Sequence, residues 1–180
     1  AKVTCAALKA FGTIAGLVNN AGFHIVKPLE ETSLEEWQAL MDVNIKGIFL
    51  GCRAVHEAMC KQGGGAIVNV VSAAGAQYFP GMAAYSASKS GSAAFTRGAM
   101  IDFAKDNIRV NGVMPGTVRT GMTESLLESS EFIENVIDKH ALKRAAEPAE
   151  IAEAIVFLLS DNASYVNGIN LLVEGGLTLT

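Results

Sequence analysis

Tyr85 and Lys89 lie four residues apart in the segment AAYSASKSG, where every neighbouring side chain is small. Residues at i and i+4 share one face of a helix, so a phenol and an ammonium group can converge on one point. A neighbouring cation stabilises the phenolate, so we expect Lys89 to lower the pKa of Tyr85 from its reference value of about 10. The pair predicts a proton donor or acceptor near neutral pH, although this spacing also arises by chance and needs support from other residues.

Strand-like and helix-like segments alternate around this pair. Short apolar runs that predict strands occupy 14–22, 66–72, 108–116 and 169–176. Periodic segments that predict helices occupy 1–11, 41–61, 84–105 and 148–160, and Ser33 with Glu36 forms a capping box before a further helix. Residues 117–145 are mixed and predict an irregular lid with a short helix. This order predicts an α/β fold with a parallel, doubly wound sheet.

The carboxyl ends of these strands carry the remaining candidate site residues. Ser72 ends the second strand, thirteen residues before Tyr85. Binding sites in open parallel sheets form at the carboxyl ends of the strands. We therefore expect Ser72, the 20–22 loop and the 115–116 turn to line one edge of the sheet, beside the helix that carries Tyr85 and Lys89.

Composition narrows the class of protein. Half of the 180 residues are hydrophobic, 18% are charged and the net charge is −4, so nothing favours nucleic acid as a partner. No apolar run reaches the length of a membrane helix. Cys5, Cys52 and Cys60 lack the spacing of metal ligands, so we predict no metal site and expect buried or half-buried thiols in a reducing cytoplasm.

Taken together, these motifs resemble the short-chain dehydrogenase/reductase family. The matches are NNAG at 19–22, VN at 43–44, Ser72, YSASK at 85–89, RVNGVMPG at 109–116, Thr117, Thr120, the segment 147–168 and LLVEGG at 171–176. The resemblance extends over 1–180, which we interpret as one partial Rossmann-like domain.

The resemblance implies a role for each matching residue. Tyr85 is expected to act as general acid in carbonyl reduction or as base in alcohol oxidation, and Ser72 to hydrogen-bond the substrate oxygen. Lys89 is expected to lower the Tyr85 pKa and bind the nicotinamide ribose, and Asn44 to hold a water of a proton relay. The residues expected to contact NAD or NADP are Asn20, Ala21, Gly22, Tyr85, Lys89, Pro115, Gly116, Val118 and Thr120.

Structural roles are open for several of these and other residues. Ser72 could simply end a strand, and Asn44 could bond a backbone carbonyl in addition to its relay role. Asn19 is interpreted as structural. We expect His24, His56 and His140 to lie on the surface or the lid, and Trp37, Phe49 and Phe157 to lie in the core. Lid packing is the first interpretation, and substrate binding the second, for Leu126, Leu127, Phe132, Ile133, Val136 and Ile137. An apolar substrate pocket is expected around Tyr78, Phe79, Met82, Met122 and Leu126.

The family's glycine-rich phosphate-binding turn, Thr-Gly-x-x-x-Gly-x-Gly, is absent from this sequence. The resemblance then implies a sheet that is truncated at its N-terminal side, with the strands that are 4-5-6-7 of the family order. We expect weak or no NAD(P) binding by this chain, because helix N-termini and convergent N–H groups hold the phosphates in such sites.

Three hypotheses about function remain open. The chain is a fragment of a longer NAD(P)-dependent oxidoreductase acting on a small carbonyl or alcohol. Alternatively, it is a cofactor-deficient or non-catalytic domain that serves as a binding or assembly module, or a short enzyme that completes its cofactor site through a partner. An apolar strand edge near Leu17 and the helices at 41–61 and 84–105 predict a homo-oligomer, a dimer or tetramer.

Overall fold

A four-stranded parallel sheet lies at the centre of the computed structural model, which describes residues 2–179. The strands follow one another across the sheet in chain order, so each connection crosses over one face and returns to the next strand. Their bounds are β1 Gly16–Asn19, β2 Gly65–Val70, β3 Ile108–Pro115 and β4 Asn170–Val173. The predicted α/β parallel architecture is confirmed.

The two central strands supply the most deeply buried part of the sheet. Ile67 and Val68 of β2 and Val110 and Val113 of β3 have no exposed surface. Parallel strands covered by helices on both faces need apolar residues on both faces, which explains why these segments read as continuous apolar runs. Register pairs Ile67 with Val110, so the strands end together at one edge.

The described residues form seven α-helices. Their bounds are α1 Lys2–Phe11, α2 Leu34–Met41, α3 Gly47–Gln62, α4 Ala83–Ala104, α5 Glu124–Leu127, α6 Ser130–Asn135 and α7 Pro148–Leu159. Of these, α3, α4 and α7 pack against the sheet. Ile48 and Met59 of α3 pack with Ala99 of α4 on one face of β2 and β3. Ile151 and Leu158 of α7 cover the opposite face. The sheet is therefore doubly wound, as the sequence predicts.

The helix predicted over 41–61 has a different geometry at its start. The capping box of Ser33 and Glu36 begins α2 as predicted. From Asp42 to Lys46, however, the chain forms a turn of π-helix before α3 continues. A π turn contains an extra residue, so it changes the direction in which side chains leave the helix. Here it buries Asn44 completely.

Four predictions about burial are wrong. Trp37, Phe49 and Phe157 were expected in the core, yet they are 37%, 42% and 43% exposed. Cys5 was expected to be at least half-buried and is exposed. Apolar periodicity identifies the face of a helix that gains from burial. The periodicity does not show whether another helix or strand among the described residues covers that face.

Strand β1 forms one edge of the sheet. Within residues 2–179 it pairs with β2 alone, and Val18 remains 39% exposed. The described helices include none that is both long and apolar enough to cross a lipid bilayer.

Candidate active site

The predicted site residues gather at the carboxyl edge of the sheet. Asn20 follows β1 directly, Ser72 lies two residues after β2, and Pro115 ends β3. Helix α4 begins at Ala83 beside this edge and carries Tyr85 and Lys89 in its first two turns. Because parallel strands end on the same side, the topology alone brings these segments together.

Lys89 is a buried ammonium group with one clear backbone partner. It is 4% exposed, and its Nζ donates to the carbonyl oxygen of Val70 over 3.1 Å. The same Nζ lies 5.9 Å from the centre of the Tyr85 ring. Burial lowers the pKa of Lys89 from 10.5 to about 8, because the charged form loses hydration.

The pKa of Tyr85 is shifted opposite to the prediction. Burial raises its pKa above 10, and a hydrogen bond with the Ser72 side chain opposes the rise. Desolvation of the phenolate is the largest cause of this shift, although Lys89 Nζ lies over the Tyr85 ring, 5.9 Å from its centre. The phenol is consequently a neutral proton donor at neutral pH in this structure.

The side chain of Asn44 makes three hydrogen bonds within the chain. Its Nδ2 donates to the Phe23 carbonyl oxygen over 3.0 Å and to Ser88 Oγ over 2.9 Å, while its Oδ1 accepts from the Phe23 N–H over 3.2 Å. The open interpretation that Asn44 bonds a backbone carbonyl is therefore confirmed. Its place in a proton relay stays a prediction, and only Oδ1 retains a free lone pair for a water.

Gly22 marks the point where these groups meet. A Cβ at this position would lie 3.2 Å from Asn44 Oδ1 and 3.2 Å from Lys89 Nζ, which is tighter than most real contacts. The backbone of the 20–22 loop can approach both polar side chains only because this residue has no side chain. The structure thus brings Gly22, Asn44 and Lys89 to one place.

Sequence reasoning missed two serines that support the site. Ser88 Oγ accepts from Asn44 and donates to the Tyr85 carbonyl oxygen over 2.7 Å. Ser92 Oγ donates to the Asn44 carbonyl oxygen over 2.8 Å. Both serines are completely buried. The sequence could have identified these serines by their i+3 and i+7 spacing from Tyr85. That spacing places them on the side of α4 that packs against the π turn.

His24, which was expected on the surface or the lid, is half-buried beside the site. Its ring lies edge-on to the Tyr85 ring, with 5.9 Å between the ring centres. Burial lowers the pKa of His24, so the imidazole is neutral at pH 7. The sequence could have placed His24 near the site, because it follows the 20–22 loop by two residues.

The segment after β3 carries the other predicted nicotinamide contacts. Gly116 packs so closely on Glu174 that a Cβ would lie 2.9 Å from the Glu174 Cα. Val118 forms an isolated parallel bridge with Ala146, and Thr120 is exposed. These positions follow β3 at the site edge, and their contact with a cofactor stays a prediction.

The lid is irregular, as predicted, and its one histidine, His140, is buried. His140 is 1% exposed, and its Nδ1 lies 2.9 Å from the Val136 carbonyl oxygen. The Thr117 N–H donates to its Nε2 over 3.4 Å. The expectation that His140 lies on the surface or the lid is met by its place in the lid. Its burial was not expected, because it results from contacts that join the lid to the segment after β3, which no local spacing reveals.

The predicted substrate-pocket residues do not all line one cavity. Tyr78 and Phe79 line a cavity of about 490 Å³ together with Ser86, which lies on a different face of α4 from Tyr85. Tyr78 is 72% exposed, and Met122 is 46% exposed. The apolar substrate pocket expected around Tyr78, Phe79, Met82, Met122 and Leu126 therefore stays a prediction.

The depressed pKa of Lys89 makes a pH-dependent contribution to stability. Between about pH 8 and pH 10.5, the unfolded chain binds a proton at Lys89 that the folded chain does not, so stability rises with pH. The free energy of unfolding of the wild type, minus that of Lys89→Met, should rise by up to about 3 kcal/mol over this window. Denaturant unfolding at several pH values measures it. Lys105→Met, which removes an exposed lysine, is the control, and a flat difference for Lys89→Met contradicts the prediction.

Comparison with known proteins agrees with this geometry. Residues 1–178 match the profile of a protein family described as enoyl-(acyl carrier protein) reductase. The chain is 46% identical over 162 residues to cyclopentanol dehydrogenase of Comamonas sp. strain NCIMB 9872, covering 90% of this chain and 65% of that protein. It is 40% identical over 176 residues to 2-(R)-hydroxypropyl-CoM dehydrogenase of Xanthobacter autotrophicus, covering 96% of this chain and 70% of that protein.

A solved structure shows the same fold. The crystal structure of a gluconate 5-dehydrogenase from Burkholderia cenocepacia J2315, in complex with NADP and tartrate, superposes with a TM-score of 0.95 at 32% identity. The match covers 99% of this chain and 70% of that one. The chain thus spans about two thirds of the length of the proteins that it resembles. By sequence, fold and arrangement of residues, it belongs to the short-chain dehydrogenase/reductase family.

Proposed function

We propose that this chain carries the acid–base centre of an NAD(P)-dependent oxidoreductase that interconverts a carbonyl and a secondary alcohol. The observation that carries the proposal is the hydrogen bond of the half-buried Tyr85 phenol with the Ser72 side chain, next to the desolvated Lys89. A neutral phenol held by a hydroxyl group is a suitable proton donor to a carbonyl oxygen. Burying the Lys89 ammonium group beside Tyr85 costs free energy, and packing of the fold does not require it. The burial therefore favours a functional role for the pair.

The residues around Gly22 fit the nicotinamide-ribose half of a dinucleotide. Lys89 Nζ donates to the Val70 carbonyl oxygen and lies 3.2 Å from the place that a Cβ of Gly22 would occupy. Its remaining N–H groups can donate to ribose hydroxyls beside the 20–22 loop. Asn20, Ala21, Pro115, Gly116, Val118 and Thr120 would complete this half of the site. When bound, a nicotinamide supplies or accepts the hydride.

Each catalytic residue has a distinct task in this proposal. Tyr85 donates a proton to the carbonyl oxygen in reduction and accepts it from the alcohol in oxidation. Ser72 hydrogen-bonds the same substrate oxygen and orients it toward the phenol. Lys89, with a pKa of about 8, carries its charge at neutral pH and stabilises the phenolate that forms when Tyr85 gives up its proton. Asn44 Oδ1, beside Lys89 Nζ at Gly22, offers the next acceptor for a relay water.

The substrate class is a small molecule with a secondary hydroxyl or carbonyl group. The names of similar proteins include cyclopentanol dehydrogenase and trans-4-hydroxycyclohexanecarboxylate dehydrogenase, which act on ring alcohols by name. The free thiols among the described residues support the proposed location in a reducing cytoplasm.

Tyr85→Phe tests the acid–base role directly. The substitution keeps the ring and removes the proton, so turnover of cyclopentanone with NADH should fall by about a hundredfold or more. Turnover is followed by the loss of nicotinamide absorbance at millimolar dinucleotide. Tyr165→Phe, at a fully exposed tyrosine outside the site, should leave turnover unchanged. Wild-type turnover in Tyr85→Phe would rule out the assignment, and a wild-type chain without turnover would favour the alternative of a binding or assembly module.

We further infer that this chain binds NAD(P) weakly. The sequence contains no glycine-rich turn to hold two phosphates, while the nicotinamide-ribose half of the site fits. Calorimetric titration should therefore give similar dissociation constants for NADH and for reduced nicotinamide mononucleotide, which lacks the adenylate. Lys89→Met should weaken both. A dissociation constant of about 1 μM or tighter for NADH alone would show that another segment holds the phosphates.

A homo-oligomer is the proposed state of the chain. Phe49 and Leu50 of α3 and Ile101 of α4 are 42%, 49% and 71% exposed, and Val18 at the β1 edge is 39% exposed. Exposed apolar side chains on the outer sides of neighbouring helices favour self-association. The edge of β1 offers a second surface, because an unpaired strand can add another strand.

Light scattering over a range of protein concentrations measures this association. Wild type should exceed the mass of one chain, and Ile101→Glu should shift the equilibrium toward monomer because it places a charge in the apolar contact. Tyr165→Glu, at a fully exposed residue on another part of the surface, is the matched control. A stable monomer at high concentration would contradict the proposal.

A further inference from the structure

Three potential metal ligands meet at the far ends of α3 and α4. His56 and Cys60 lie one turn apart on α3, and Asp106 follows α4 by two residues. His56 Nε2 lies 2.9 Å from Asp106 Oδ2 and 3.5 Å from Cys60 Sγ. One donor atom from each residue lies within 4.8 Å of the others. His56, which was expected on the surface or the lid, is therefore half-buried and has two polar neighbours.

The cluster is held in a defined geometry. The His56 ring packs against the Phe103 ring of α4, with 4.5 Å between the ring centres. The i, i+4 spacing places His56 and Cys60 on one face of α3, so they approach Asp106 without distortion of the helix. All three residues are half-buried, which leaves one side of the cluster open to solvent.

We propose that His56, Cys60 and Asp106 bind one zinc ion per chain. Zinc takes thiolate, imidazole and carboxylate ligands in tetrahedral geometry, and sites with three protein ligands complete the fourth position with water. Ligand atoms around such an ion lie about 3.3–3.8 Å apart, since zinc–ligand bonds are about 2.0–2.3 Å long. The 3.5 Å separation of sulfur and nitrogen already meets this spacing, and the 2.9 Å separation needs a side-chain movement below about 1 Å.

Charge also favours a divalent cation at this place. Asp106 contributes a carboxylate to the cluster, and Cys60 contributes a thiolate when it binds a metal ion. Zinc binding displaces the thiol proton to solvent and places a thiolate and a carboxylate against two positive charges. The ion then links α3, which follows the π turn of Asn44, to the end of α4, which carries Tyr85.

Titration with Zn²⁺ and with Co²⁺ tests the proposal on the full chain. Calorimetry should give one zinc per chain, and Co²⁺ should produce a thiolate-to-metal charge-transfer band. Cys60→Ser should abolish the band, and His56→Gln and Asp106→Asn should each weaken zinc binding at least about tenfold. Cys5→Ser, which removes the exposed thiol outside the cluster, should bind zinc as the wild type does.

A second measurement needs no substitution. Zinc should slow alkylation of Cys60 in the folded wild type and leave the rate at Cys5 unchanged, as measured by mass spectrometry of the peptides. It should also raise the thermal unfolding midpoint, because the ion binds the folded state preferentially. Zinc that leaves the Cys60 rate unchanged, or binding that survives Cys60→Ser but not Cys5→Ser, would overturn the proposal. Absence of stoichiometric binding would do the same.

Discussion

Buried polar side chains must find hydrogen-bond partners, and this requirement determines how α4 sits against the rest of the fold. Asn44, Ser88 and Ser92 have no exposed surface, and each uses another member of the group or its backbone as a partner. A single unsatisfied buried group costs about 1–3 kcal/mol. Because few arrangements of the π turn and α4 satisfy all three residues, the position of Tyr85 on α4 is narrowly defined.

A second line of buried polar groups fixes the sheet to the same helix. Asn19 Nδ2 donates to Asn69 Oδ1 over 2.8 Å, and Asn69 Nδ2 donates to Thr96 Oγ1 over 3.0 Å. These bonds join β1, β2 and α4. The interpretation of Asn19 as a structural residue is thus confirmed. Together with the packing of Ala99 on the sheet, they hold the strand ends beside the first turns of α4.

The same burial that orders the site also sets its proton chemistry. Desolvation raises the pKa of Tyr85 and lowers that of Lys89 to about 8, so both groups move toward their neutral forms. A sequence argument treats the two residues as an exposed ion-stabilised pair and obtains the opposite direction for the tyrosine. The difference arises because the penalty for burying a charge depends on all surrounding elements, whereas helical spacing describes only two residues.

The sequence by itself determined the features that arise from local patterns. Apolar runs predicted the four strands, the i, i+4 spacing placed Tyr85 with Lys89, and the rule for parallel sheets placed Ser72 at the same edge. Only the tertiary structure decided what depends on contacts between distant segments. The π turn that buries Asn44 and the burial of His140 belong to this class, and so does the meeting of His56, Cys60 and Asp106. Each results from packing that optimises many contacts at once, and no short window of sequence contains that information.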